Sequence, residues 1–146
     1  MELKFRVQAK IQKPVAEVFD AVYNPRKLEK YFATKSASGP LDAGTTVIWE
    51  WDYWPKPYEV HVKETVKNEL IAFEWLAHDG DVMTRVEIRF EALGDEETMV
   101  SISESGWSRD ETGLKHSYDN CAGWMHVCCA LKAYLEYDIN LTKGFF

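Results

Sequence analysis

The sequence predicts an α+β fold in which a curved antiparallel sheet wraps around one long C-terminal helix. Three observations predict it. From Thr45 to Ser105 the chain is a run of short segments whose apolar residues keep one alternating phase. Turn residues, not helical stretches, separate those segments, so neighbouring strands run antiparallel. One long amphipathic pattern follows, about Ser117 to Tyr137, and it alone is long and apolar enough to cover a one-sided sheet.

Each element follows from its residues. "LKFRVQAKI" puts Leu3, Phe5, Val7, Ala9 and Ile11 on one face and charged or amide residues on the other, a half-buried strand. Pro14 suits the first turn of a helix carrying Val15, Val18, Phe19 and Val22, which Asn24-Pro25 ends. "PRKLEKYF" predicts a second short helix with Leu28, Tyr31 and Phe32. The strands then place in one phase Val47, Trp49, Trp51 and Tyr53; Tyr58, Val60, Val62, Glu64 and Val66; Ile71, Phe73 and Trp75; Val82, Thr84, Val86, Ile88 and Phe90; and Val100, Ile102 and Glu104. Gly44, Pro55, Pro57, "HDGD" at His78–Asp81 and "LGDEE" at Leu93–Glu97 mark the turns. On the final helix Cys121, Trp124, Cys128, Leu131 and Leu135 form the apolar stripe.

A chain of 146 residues, 46% hydrophobic and 28% charged, suits a single globular domain over 1–146. A net charge of −7 with scattered Lys and Arg speaks against a nucleic-acid partner. No apolar run approaches a membrane span, so no membrane insertion is expected. The opening "MELKFRVQAK" lacks the apolar stretch of a signal peptide, and three cysteines fit a reduced compartment; a cytoplasmic location is expected.

"IQKPVAEVFDAVYNPRKLEKYF", "ESGW" at Glu104–Trp107 and "GWMHVCCALKAYLE" occur in an order that resembles the START/Bet v 1-like (SRPBCC) superfamily. Within it the chain is similar to bacterial homologues of the activator of heat-shock protein 90 ATPase. The resemblance implies a helix-grip fold: a seven-stranded antiparallel sheet, two short helices after the first strand, and a cavity under the C-terminal helix. It also implies a strand at Ala33–Gly39 that periodicity does not reveal.

The strand phases direct Trp49, Trp51, Tyr53, Tyr58, Phe73, Trp75 and Phe90 at the helix, and Trp124 points back from it. These rings either fill a solid core or line a pocket. A dry core holding so many indole and phenol groups leaves polar atoms to satisfy, which favours the pocket. Glu64 and Glu104 share the inward phase; each either reaches solvent at a strand end or marks a polar end of the cavity. Asn120, Arg109 and Tyr118 are candidates near that end. The candidate ligand-binding set is therefore Trp49, Trp51, Tyr58, Glu64, Phe73, Trp75, Phe90, Glu104, Asn120 and Trp124.

No catalytic residue stands out. His61 takes the outward phase, His78 and His116 fall in turns, and His126 lies off the helix stripe. Cys121, His126, Cys128 and Cys129 diverge around a helix, so no metal site and no cofactor are expected. The leading reading is a protein that binds a small, mostly apolar ligand, a lipid or aromatic metabolite, as a monomer or homodimer. The alternatives are a chaperone-interaction domain and a cyclase- or dehydratase-type enzyme using a cavity carboxylate such as Glu104.

Overall fold

A computed structural model describes residues 1–76 and 82–146; the turn expected at His78–Asp81 lies outside the described residues. The chain folds as β1 (Lys4–Ile11), α1 (Val15–Tyr23), α2 (Pro25–Leu28), β2 (Ser36–Ala37), β3 (Thr46–Glu50), β4 (Tyr58–Val66), β5 (Leu70–Leu76), β6 (Met83–Gly94), β7 (Glu97–Ser105) and α3 (Glu111–Tyr137). The strands form one seven-stranded antiparallel sheet in the order β1-β7-β6-β5-β4-β3-β2. The strand implied by resemblance near Ala33–Gly39 is present as the short edge strand β2.

Pro14 leads into α1, which buries Val18, Phe19, Ala21 and Val22. The Asn24 side chain accepts from the Arg26 backbone N–H at 3.0 Å, and Pro25 occupies the first turn of α2. The second helix is shorter than its sequence pattern predicts: after Leu28 the chain continues in turns. Tyr31 is nonetheless buried, its hydroxyl donating to the Ala21 carbonyl at 3.0 Å.

The last helix begins at Glu111, earlier than the apolar stripe alone predicts. Asp110 caps it by accepting from the Gly113 backbone N–H at 2.8 Å. Gly113 reads as a helix breaker, yet it is needed here: a Cβ on it would sit 1.8 Å from the Ser108 carbonyl oxygen. Trp124, Val127, Cys128, Ala130 and Leu131 are buried against the sheet, while Cys121 and Leu135 are half-buried. His116 lies within α3, not in a turn. At the far end, Lys132 donates to the Lys10 carbonyl at 2.9 Å and Glu136 accepts from the Gln12 N–H at 3.0 Å, tying α3 to β1.

Two strand expectations change. The register of β4 against β5 slips between Val62 and Glu64, so Lys63 is an extra residue and the phase inverts beyond it. Thr65 then turns inward and donates to the Leu41 carbonyl at 2.6 Å, while Glu64 turns outward. There Arg85 bridges Glu64 at 2.8 Å and Glu87 at 3.1 Å on the wet face of the sheet. The third strand also ends at Glu50: Trp51 stays buried, but Tyr53 leaves the alternation and is 40% exposed. Among the described residues, no helix is long and apolar enough to cross a membrane.

Candidate functional site

The site is built around Glu104. Its place on β7, paired with Val86 on β6 and Phe5 on β1, directs it into the interior, where it is 1% exposed. Trp75 on β5 faces Thr84 on β6, and Asn120 and Trp124 are one turn apart on α3. All four meet the same carboxylate. Oε1 accepts from the Trp124 indole at 2.8 Å and the Asn120 amide at 3.1 Å. Oε2 accepts from Thr84 Oγ1 at 2.6 Å, the Trp75 indole at 3.0 Å and Asn120 at 3.1 Å. Every contact is a donor, which matches an acceptor-only carboxylate. Gly106 lets the chain leave β7 beside this group: its φ is +112°, and a Cβ there would lie 3.2 Å from the Met83 carbonyl.

In front of this network, between sheet and helix, is a cavity of about 220 Å³. Trp51, Tyr58, Trp75, Trp124 and Phe32 form its aromatic wall, with Asn120 and Asp119 at one side. Adjacent rings make a closed circuit: Phe32–Trp51 at 5.4 Å, Trp51–Tyr58, Tyr58–Trp75 and Trp75–Trp124 each at 5.6 Å, and Trp124–Phe32 at 5.5 Å. Tyr53, Trp54 and Phe146 form its exposed rim, where Tyr53 stacks on Phe146 at 4.5 Å.

Of the candidate set, then, Trp51, Tyr58, Trp75, Asn120 and Trp124 line one cavity, and Glu104 lies behind its wall. Trp49 and Phe73 are fully buried beneath it rather than in it. Trp49 packs edge-on against Phe32, Trp51, Phe73 and Trp75. Its indole N–H and that of Trp51 have no hydrogen-bond partner, so edge-to-ring packing takes the place of the expected polar partners. Phe90 has the right phase but the wrong end of the sheet: it packs on Phe19 of α1 at 5.3 Å. Glu64 is outside altogether because of the bulge in β4. Tyr118 and Arg109 are exposed.

His126 and the C-terminal segment were missed by sequence reasoning. The apolar surface of α3 is broader than its stripe, and His126 lines the cavity. Thr142 is buried, its hydroxyl donating to the Tyr31 carbonyl at 2.6 Å; it therefore accepts from His126 Nε2 at 3.1 Å, which fixes the proton on that nitrogen. Burial holds the His126 pKa below its ordinary value, so the ring is neutral at pH 7. The signal available in the sequence was the closing "TKGFF", two phenylalanines in an otherwise polar tail; both rings pack on His126.

A half-barrel sheet closed by a long helix over an aromatic hollow defines a helix-grip protein of the SRPBCC type. The chain belongs to the Activator of Hsp90 ATPase homolog 1-like family, whose model matches residues 12–136. No curated protein matches it in sequence. Among solved structures it is similar to DynU16 of the dynemicin biosynthetic locus, with a TM-score of 0.81 and 22% identity over 94% of this chain. It spans only 49% of that protein's length. Protein SSP2350 from Staphylococcus saprophyticus superposes with a TM-score of 0.74 at 22% identity, covering 97% of this chain and 96% of the other. The Aha1 dimer from Colwellia psychrerythraea gives 0.74 at 17% identity, covering 92% and 96%. At these identities the likeness is one of fold.

Proposed function

We propose that this chain binds a small, mostly apolar molecule in the cavity beneath α3. The observation that carries the reading is the aromatic circuit around about 220 Å³ of space, with Asn120 and Asp119 gathered at one side. Apolar walls with a few convergent polar groups are the usual make-up of a ligand pocket. An apolar cavity of about 150 Å³ holds benzene, so this one suits a molecule of one or two rings better than a whole lipid. The family's fold and the biosynthetic setting of DynU16 agree with a metabolite as ligand. Three free cysteines agree with a cytoplasmic place of work.

Tryptophan fluorescence titrated with a panel of one- and two-ring aromatics, backed by native mass spectrometry, tests the reading. Saturable quenching with a matching mass adduct is expected. A panel that gives neither would overturn it.

Family membership favours a second reading, a co-chaperone-like interaction domain, and the Colwellia Aha1 dimer makes a homodimer the first assembly to look for. Stimulation of a heat-shock protein 90 ATPase by the purified chain is its test; an unchanged rate at saturation would retire it. The cyclase or dehydratase reading loses its candidate acid, because Glu104 is held behind the cavity wall by four side chains.

A further inference from the structure

We infer that the cavity selects an organic cation, an alkylated ammonium on a small apolar body, over a neutral molecule of the same shape; the inference rests on the ligand-binding reading above. Glu104 is the first reason. It is 1% exposed, and its partners are two indoles, an amide and a hydroxyl. Among the described residues no Lys, Arg or His reaches it. A buried carboxylate is normally matched by a cation. Here three of the four residues that hold it, Trp75, Asn120 and Trp124, are also cavity wall, so a positive charge in the cavity sits one side chain away.

The second reason is what that network leaves for a ligand. The indole N–H groups of Trp75 and Trp124 are used on Glu104, and so is the amide nitrogen of Asn120. Asn120 keeps its carbonyl oxygen, an acceptor, and the neighbouring polar group is the Asp119 carboxylate. No Lys or Arg is among the described lining residues, and His126 is neutral at pH 7. The charge at this end thus favours a positive guest.

The third reason is the wall itself. A cation is attracted to an aromatic face within ~6 Å of its centroid, most strongly by Trp. Phe32, Trp51, Tyr58, Trp75 and Trp124 all belong to the cavity wall, so an alkylated ammonium inside it meets aromatic rings on several sides. An indole whose N–H is bonded to a carboxylate is also the more electron-rich. A neutral isostere would fill the same space without gaining from either charge.

The test pairs phenyltrimethylammonium with its neutral isostere tert-butylbenzene, titrated against the full chain by tryptophan fluorescence and calorimetry. The cation should bind at least tenfold more tightly. Asp119→Asn, at an exposed position, should weaken the cation several-fold and leave the isostere unchanged. Glu104→Gln should lower the ratio of the two affinities several-fold while leaving it above one; if that variant does not fold, the wild-type ratio and Asp119→Asn still decide. An isostere that binds as well as the cation would overturn the inference while leaving the cavity a ligand site. If neither compound binds, the inference falls, while the ligand-binding reading is decided separately by the panel of one- and two-ring aromatics.

Discussion

The two ends of the space beneath α3 share the same strand alternation and finish differently. Toward α1, Val22, Leu28, Ile88, Val100, Ile102 and Leu131 close, together with Tyr31, Trp49 and the shared rings Phe32 and Trp124, around a void of about 10 Å³, at the lower limit for one water. Toward the opposite end, Trp51, Tyr58, Trp75 and Trp124 surround about 220 Å³. Branched aliphatic chains fill space by interdigitation. Rings also fill space where they meet edge to face, as around Trp49, but Tyr58, Trp75 and Trp124 meet at tilts of 39–49°, and two of the indoles bring donors that need an acceptor. Glu104 supplies it, and because a charged group cannot be buried in aliphatic packing, solid core and polar network are kept at separate ends. The difference teaches that a fold makes a pocket less by removing residues than by choosing side chains that cannot close the space.

The comparison breaks completely if the helix serving both ends is lost. A chain ending at Ala122 lacks Trp124, Val127, Cys128 and Leu131, all buried against the sheet. It should show no cooperative thermal melt by circular dichroism, and a cooperatively melting fragment would contradict the role given to α3.

Next in size is Trp49→Ala. Trp49 is 1% exposed and lies beneath the cavity, so its truncation should cost about 3–5 kcal/mol, as for aromatic rings in solid cores. Trp51 has one side on the cavity and fewer packed neighbours to lose; Trp51→Ala should cost at least about 1 kcal/mol less and weaken ligand binding more. Urea melts on both variants, with a titration, give the two rankings. Equal stability losses would mean that the cavity wall is packed as tightly as the core beneath it.

Glu104→Leu comes third. It leaves the indoles of Trp75 and Trp124, the Asn120 amide and the Thr84 hydroxyl without their acceptor. A buried donor without a partner costs about 1–3 kcal/mol, and water from the adjoining cavity should hold the total near the top of that range. A Glu104→Leu protein whose urea melt lies within about 1 kcal/mol of wild type would mean that the network is dispensable and that the rings alone shape the hollow.

Much of this architecture is legible in the chain. The period-two alternation places Trp49, Phe73, Trp75, Ile102 and Glu104 inside, and three-and-four spacing places Trp124, Cys128 and Leu131 on the helix face that meets them. What alternation cannot supply is position along a strand: Phe90 has the inward phase but sits at the α1 end. Nor can it detect one inserted residue, so the bulge after Val62 sends Glu64 to the solvent face with no mark in the sequence. The convergence on Glu104 is a long-range event, joining side chains from β5, β6, β7 and α3, and no local pattern encodes it. Trp54 falls in the outward phase beside Pro55 and is 38% exposed, yet it stands on the cavity rim, because β3 ends before it.

The smallest expected change in stability is at that rim. Phe146 is 62% exposed, stacks on Tyr53 at 4.5 Å with planes 25° apart, and meets the His126 ring at 5.0 Å. An exposed aromatic contact of this kind contributes little, so Phe146→Ala should lower stability by less than about 1 kcal/mol. Its effect should appear instead in the kinetics of ligand exchange. Removing a ring that stands over the opening eases passage both ways, so association and dissociation rates should rise together while the dissociation constant stays within about threefold. Stopped-flow fluorescence on wild type and variant separates the two rates. If dissociation alone quickens and affinity falls in proportion, Phe146 is part of the binding wall, and the open end extends to the tail rather than stopping at Trp51 and Tyr58.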